Sequence, residues 1–543
     1  MKFIKPVFFT CAFFILLLSA CSDKNENNND NASSNNTDNM DNINESGMPI
    51  VKDSITLEFF AGKSPSTAED WNDVLVWNEY EDRTNIHIDW KMIPFDSLEE
   101  KRTVELSSND YPDAFYNALL PIKDVYKFGQ QGVFIDLSDL IEEHAPNLQK
   151  ILEENPSFKS AMTFPDGNIY SLPLFMDPDN PNIRIAEHFW IREDWLETLD
   201  MEMPETTDEF YQYLKAVKEE NPSGNGENDE VPFGGNGIGG LVNQLEGAWG
   251  LGNRGIANGG HVDIDPETDE LRFIPTDPKY KELLEFINKL YSEELIEQNI
   301  YSIEYDQYMA NASQGKYGSI SSVNPEAIEG VEEYTGAIPL EGPHGDQTFN
   351  RVFNPVTGIG SFTITDQNEH PIETIKWMDY FYGDEGMKLQ FLGVEGKTFE
   401  EDSNGELQFI DEITDNPEGL TFDQAVAQYL TYPGGGHPGF MKKEYNRASE
   451  NQSAAVEAMD KAEPYLVDEL WPDFTYTDEE YKELETFQTD MNSYIDEMQA
   501  KFITGDVPFS EWDNYVAELE KIGSEEYLEI QEAALNRYIE GAE

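Results

Sequence analysis

Cysteine is almost missing from this chain. Its 543 residues hold two, Cys11 and Cys21, both within the first 21 positions. The body that follows has no thiol, which excludes disulfides, cysteine-based metal sites and cysteine nucleophiles there. A chain of this length buries enough apolar surface to fold without such staples. Histidine is scarce as well. The seven histidines form no His-Glu-x-x-His and no close pair, so a histidine-rich zinc site is not expected. Basic residues are few: 35 Lys and Arg stand against 108 Asp and Glu, a formal net charge of −73. Such a field repels nucleic acid and anionic membrane surfaces, so no nucleic-acid partner is expected. No Walker A sequence occurs, and no internal repeat of about 20–50 residues is visible.

Long apolar runs are also rare, and the one present is informative. Val7 to Leu18 lies behind Lys2 and Lys5 and ends in Leu18-Ser19-Ala20-Cys21. Positive start, short apolar core and small residues are the parts of a secretory signal. The run is too short for a spanning helix. A cysteine directly after the small pair resembles a bacterial lipobox, so residues 1–20 are expected to be removed and Cys21 to carry the lipid. Residues 21–52, rich in Asn, Asp and Ser, cannot bury enough surface to fold and are expected to be a disordered tether. The expected location is extracytoplasmic, anchored to the cell membrane through lipid. Loss of Lys2 and Lys5 with the signal lowers the 35 basic residues to 33 and moves the charge from −73 to −75. The acids are spread along the whole chain, a solvated surface suited to high salt and to a halophilic source.

The body alternates strand and helix. Ile55 to Phe60 reads as a strand, Trp71 to Thr84 as a helix and Ile86 to Trp90 as a strand. Ser97 to Ser107 reads as a helix and Tyr111 to Tyr116 as a third strand. This pattern predicts an α/β domain with a mostly parallel sheet. Ligands of such sheets sit at the carboxyl ends of strands, here the loops after Phe60 and Tyr116. Met176 to Asn182 is a polar linker, read as a first crossing between lobes. A second crossing precedes the strand Gly358 to Ile364. Thr207 to Glu220 and Pro278 to Glu294 have helical periodicity, as do Ile372 to Tyr382, Tyr481 to Ala500 and Ser510 to Tyr538.

Several segments carry a resemblance: Gln131 to Leu137 (QGVFIDL), Phe164 to Pro173 (FPDGNIYSLP) and Trp190 to Leu196 (WIREDWL). His370 to Trp377 followed by Asp384-Glu385-Gly386, and Ile503-Thr504-Gly505 followed by Leu528 to Gln531, add to it. In this order and spacing they resemble extracellular solute-binding proteins of ABC importers. They look like the large oligosaccharide-binding lipoprotein group that includes the alginate-binding proteins. The resemblance covers the body from about 53 to the C-terminus. It implies a two-lobed, periplasmic-binding-protein-like α/β fold with hinge crossings and a helical C-terminal region. Residues 53–175 and 355–415 would form the N-terminal lobe, and 176–354 with 416–543 the C-terminal lobe. It implies a monomer that captures an oligosaccharide between the lobes and delivers it to ABC permease subunits, without turnover. An exported carbohydrate-active enzyme and a sugar-sensing lipoprotein are the alternatives.

Sugar sites need flat aromatic faces and planar polar groups. The candidates are Trp71, Tyr116, Asn117, Trp249, Tyr317, Glu395 and Tyr432, chosen for positions near strand ends or glycine-rich turns. A neutral ligand is the default, because the acidic field opposes anions. Acidic sugars would require Lys63, Arg254 or Arg351 to reach the cleft. The segment Asn221 to Val231 places oxygen side chains at alternate positions around Gly226, an arrangement suited to calcium. The expected ligands are Asn221, Ser223, Asn225, the carbonyl of Glu227, Asp229 and Glu230. Position twelve is Pro232, so a true EF-hand fails. The resemblance supplies a calcium loop closing in Asp-Glu, as here, though relatives open with Asp where this chain has Asn221. Gly235-x-Gly237-x-x-Gly240 matches a dinucleotide fingerprint but lacks the strand-turn-helix setting, and reads as a flexible loop.

Overall fold

A computed structural model describes residues 41–65, 67–108, 110–226, 229–257, 260–420 and 422–542. The signal, Cys21 and the tether up to residue 40 lie outside the described residues. Ten strands build two sheets: β1 Ile55–Lys63, β2 Ile86–Pro94, β3 Ala114–Tyr116, β4 Leu172–Met176, β5 His188–Arg192, β6 Val231–Phe233, β7 Tyr317–Ser322, β8 Tyr334–Gly336, β9 Val356–Ile364 and β10 Gly439–Met441. Among the helices, α1 is Pro156–Met162, α2 Thr207–Glu220, α3 Gly239–Glu246, α4 Ser453–Ala462, α5 Asp478–Thr504 and α6 Ser524–Ala542.

The first sheet has the order β10-β4-β9-β3-β1-β2. β1 and β2 pair in parallel through nine residues, from Ile55 opposite Ile86 to Lys63 opposite Pro94. Leu57, Phe59, Phe60 and Ala61 of β1 are all buried. That unbroken run marks a strand covered on both faces, as parallel sheets require. The second sheet has the order β8-β5-β7-β6. Each sheet anchors its own core. One core draws on 50–183 and 356–441, and the other on 189–340 and 471–535. The α/β two-lobed expectation therefore holds in its architecture.

Two boundaries move. Ala425, Val426, Leu430, Phe440 and Met441 pack in the first core, and β10 pairs with β4. Residues 416–441 thus belong to the N-terminal lobe, not the C-terminal one. The end of the expected tether is also ordered. Ile50 and Val51 are buried, and their backbone N–H groups donate to the Thr84 carbonyl at 3.1 and 3.3 Å. The apolar triplet Pro49-Ile50-Val51 supplies the contact that the Asn-rich stretch before it lacks.

Helix ends follow local chemistry. α2 starts in a capping box, with Thr206 bonding the Glu209 backbone and Glu209 the Thr206 backbone. The C-terminal helix expected over 510–538 breaks at Gly523, which has φ 135° and faces the Phe487 ring at a distance that leaves little room for a Cβ. Three crossings join the lobes, near 177–187, 345–355 and 442–452. They lie side by side. Phe353 N donates to Arg184 O at 2.7 Å, Ala186 N to Arg351 O at 3.1 Å and Asp177 N to Met441 O at 2.9 Å. The helical C-terminus straddles both lobes: Ser160 Oγ of α1 donates to Tyr538 O of α6 at 2.7 Å, and Lys123 pairs with Glu485 of α5.

Candidate functional site

Strand direction fixes which ends face the partner lobe. β4 leaves the first sheet at Met176 and enters the crossing. β3 and β4 both run antiparallel to β9, β1 is parallel to β3, and β10 is parallel to β4. The carboxyl ends of β1, β3, β4 and β10 therefore all point toward the second lobe. In that lobe β5 begins at His188, directly after the crossing. β7 is antiparallel to β5, with His188 opposite Ser322, and β6 is parallel to β7. The end of β7, the loop after β6 and the start of α3 thus face back. The cleft lies between these two sets of ends.

The rim of the first lobe is a strained segment. Asn117 has φ 50° and Leu119 φ 47°, both in the left-handed region that costs a side-chain-bearing residue energy. Two devices hold it. Buried Arg102 donates to the carbonyls of Ala118 and Leu119, each at 2.7 Å. Asn117 Nδ2 donates to Gly435 O at 3.1 Å, which ties the glycine turn 434–436 to this rim. Asn117 itself is buried, and its Oδ1 meets no hydrogen-bond donor. Leu119 is exposed, an apolar surface at the mouth of the cleft.

The facing rim of the second lobe is polar. Glu187 precedes β5, and its carboxylate lies 3.3 Å from Arg351 of the second crossing. Gln244 Nε2 of α3 donates to Glu187 O at 3.0 Å and to Ser321 Oγ at 3.3 Å. A Cβ on Gly240 would stand 3.0 Å from Ser321 Cβ and 3.8 Å from the Glu187 carboxylate, so glycine lets the helix start close over this corner. Glu246, at the end of α3, accepts from Asn350 Nδ2 at 3.1 Å. Burial pushes its carboxyl up to about 7, against the pull of nearby Arg351. Apart from Arg351, none of these residues carries a signal that periodicity or motif reading detects. They come together only through the crossings.

The aromatic candidates fare differently. Trp71 is fully buried, its ring 5.1 Å from Trp90 and 6.1 Å from Tyr116. Tyr116 is sealed among Trp77, Trp90 and Phe362. Tyr317 stacks on Tyr308 at 5.7 Å at the far end of β7 from the cleft, and Trp249 packs on Phe286 at 5.5 Å. Tyr432 is buried beside Phe391. A ring with no open face offers nothing to a pyranose, so in this conformation all five are core. Glu395 is exposed on a turn bridged to Phe399. Asn117, at the carboxyl end of β3, is buried and serves as a tie within the rim.

The architecture is that of a known group. The family model for bacterial extracellular solute-binding proteins matches residues 64–388, more than half of the chain. The chain belongs to the bacterial extracellular solute-binding protein family. This solute-binding protein is 30% identical over 507 residues to the fructooligosaccharide ABC transporter substrate-binding protein FusA of Streptococcus pneumoniae, covering 90% of this chain and 91% of that one. The structure of FusA in complex with kestose matches it with a TM-score of 0.74 and 28% identity, over 89% of this chain and 99% of that chain. An EF-hand mutant of FusA has been solved with fructo-nystose at the same TM-score, identity and coverage. The alginate-binding protein AlgQ2 shares the fold at a TM-score of 0.68 and 22% identity, over 90% of this chain and 99% of that chain.

The candidate calcium loop of this solute-binding protein is compact. α2 ends at Asn221 in the left-handed conformation, and Gly224 and Gly226 carry φ 64° and 80°. Ser223 Oγ bonds Asn221 Oδ1 at 3.3 Å and also the Glu230 carboxylate. Asn225 Nδ2 donates to Asp229 Oδ1 at 2.8 Å. That bond and the Lys316 ammonium, 3.3 Å away, hold the Asp229 carboxyl below its ordinary range. Five of the six expected ligands thus gather in one loop, while Glu227 lies outside the described residues. Among the described residues, no three His, Cys, Asp or Glu side chains gather as a metal centre. Among them, too, no helix is long and apolar enough to cross a membrane.

Proposed function

We propose that the protein captures an oligosaccharide between its lobes and hands it to the membrane subunits of an ABC importer. The full-length likeness to FusA, at 30% identity over 90% of the chain, carries this reading. The geometry supports it. Two rims of polar groups and strained loops face each other across three crossings, and a ligand touching both rims closes them by differential affinity. Capture and release require no bond to be made or broken.

In this reading Cys21 carries the lipid and the Asn-rich segment is the leash. Cys21→Ser should release the body from the membrane or leave the precursor uncut. The loop at 221–230 binds calcium as a structural ion, with Asn221, Ser223, Asn225 and the carboxylates of Asp229 and Glu230 as oxygen donors. The ion would supply the positive charge that draws these oxygens together. The solved EF-hand mutant of FusA supports the assignment.

The deciding experiment is titration calorimetry with kestose and nystose, paired with small-angle scattering. Saturable binding with a smaller radius of gyration and unaltered recovered sugar is the expected result. No binding of any oligosaccharide, or steady accumulation of cleaved product, would overturn it.

A further inference from the structure

We propose that Glu187 sets the charge selectivity of the cleft. By committing the Arg351 guanidinium, it makes the site accept uncharged oligosaccharides and refuse those bearing uronate groups. This rests on the function proposed above and names the ligand class.

Sequence alone leaves Lys63, Arg254 and Arg351 as groups that could receive an acidic sugar. The structure gives each an internal anion: Lys63 pairs with Glu69 at 3.1 Å, Arg254 with Glu469 at 3.4 Å and Arg351 with Glu187 at 3.3 Å. Other guanidinium groups near the rims and crossings are used on backbone, Arg447 among them. Arg102 serves the carbonyls of Ala118 and Leu119, and Arg184 donates to Pro178 O at 3.0 Å.

Arg351 is the cation best placed to change this. It lies in a crossing, 16% exposed, beside Glu187 at 21%. Both side chains reach the surface at the corner where β5, β7 and α3 present their cleft-facing ends. Their closest approach, 3.3 Å, is a long one, and Arg351 Nε has no acceptor. A carboxylate in such a place accepts strong hydrogen bonds from sugar hydroxyls. Ser321 and the Gln244 amide, within the same corner, can bond hydroxyls as well. An incoming carboxylate would instead meet Glu187 with like charge, and the charge of the guanidinium is already balanced although its Nε is not bonded. Like-charge juxtaposition is a standard way to reject a wrong partner. Glu246 is near enough to Arg351 to feel its charge and would take it over in part if Glu187 were neutralised.

The test uses the full chain with four probes: kestose and nystose as neutral ligands, trigalacturonate and an alginate trimer as acidic ones. Wild type should bind a neutral probe and show no uronate binding. Glu187→Gln should lose about tenfold in neutral affinity and gain uronate binding that weakens with added salt. Glu187→Gln with Glu246→Gln should gain more, because the guanidinium is then unmatched. Arg351→Gln, a second variant in case the first fails to fold, should weaken neutral binding without any uronate gain. Uronate binding by wild type as tight as neutral binding would overturn the selectivity while leaving sugar capture standing. So would an unchanged affinity ratio in Glu187→Gln, or uronate gained by Arg351→Gln. A chain that binds neither class overturns the capture reading itself.

Discussion

Two arginine–carboxylate pairs of the second lobe show opposite designs. Arg272 grips Asp263 through both nitrogens, Nε at 2.7 Å and Nη2 at 2.6 Å, and also donates to Gly250 O at 2.8 Å. Asp263 is fully buried and takes the Gly252 N–H as well. Arg351 comes no closer to Glu187 than 3.3 Å and leaves Nε without an acceptor. The first pair is closed, with little bonding capacity left over. The second is loose and lies on a rim. Asp229 and Lys316, also 3.3 Å apart, form a second loose pair in the candidate calcium loop. The contrast teaches that ion-pair chemistry does not define role. Closure around the pair does: a saturated pair holds the fold, and an unsaturated one leaves room for a ligand or an ion.

The largest effect should come from breaking the closed pair. Arg272→Met leaves the Asp263 carboxylate buried without its partner, which costs about 3–5 kcal/mol. That lowers the melting temperature by about 10 °C for a lobe of this size. Glu187→Gln should cost about 1 kcal/mol or less, as half-open pairs do. Equal losses in thermal unfolding would erase the distinction.

Salt comes next. The net charge of −73 opposes compaction at low ionic strength. The Debye length falls from about 30 Å at 0.01 M to about 3 Å at 1 M. The melting temperature should rise by several degrees over that range, and by the same amount in Arg272→Met, since a buried pair is screened little. A flat profile would refute the charged-surface reading.

The Asp229 pair gives a smaller effect. A chelator should lower the wild-type melting temperature, because an ion bound only to the folded state stabilises it by mass action. Asp229→Ala with Glu230→Ala should abolish that response. If the response survives, calcium is bound elsewhere.

The smallest effect concerns Glu246, half-buried near Arg351 but in hydrogen-bond contact only with an amide. Its folded-state carboxyl sits at about 7, above the usual value of 4.5. The folded form then holds a proton that the unfolded form has lost, so stability falls as pH rises from about 4.5 to 7 and is level above. Glu246→Gln should raise the melting temperature at pH 8 by a few degrees and flatten its share of that slope. An unchanged pH profile would mean that the carboxyl is not perturbed.

Much of the fold was legible in the sequence, because strand and helix periodicities were strong. β1, β2 and α2 lie where alternation, apolar spacing and the Thr206–Glu209 capping box place them. The family segments and the polar linkers at 176–182 and before 358 marked the lobes. The cleft was not legible. Trp71 and Tyr116 sit beside strand ends, as binding aromatics do, but the first lobe needs them to fill the space between β1, β3 and the helix carrying Trp377. Linear position does not say on which side of a sheet end a ring turns. The corner of Glu187, Gln244, Ser321 and Arg351 is assembled from four distant segments, so no local pattern records it. The loop at 221–230 is continuous in sequence, so its alternating oxygen side chains were readable from spacing alone.

The interleaving of the first sheet has a consequence for how the chain becomes a protein. β9 lies between β4 and β3, yet it begins at Val356, 180 residues after β4 ends at Met176 and 240 after β3 ends at Tyr116, and β10 closes the edge only at Met441. During synthesis the early strands wait with one side unfilled until a long detour through the second lobe has been made. The chain therefore faces a long period in which Phe115 and Leu172 have no β9 beside them. Long-range pairing of this kind is slow and leaves apolar edges open to other chains. The same dense acidity that burdens the finished surface keeps such unfinished chains apart.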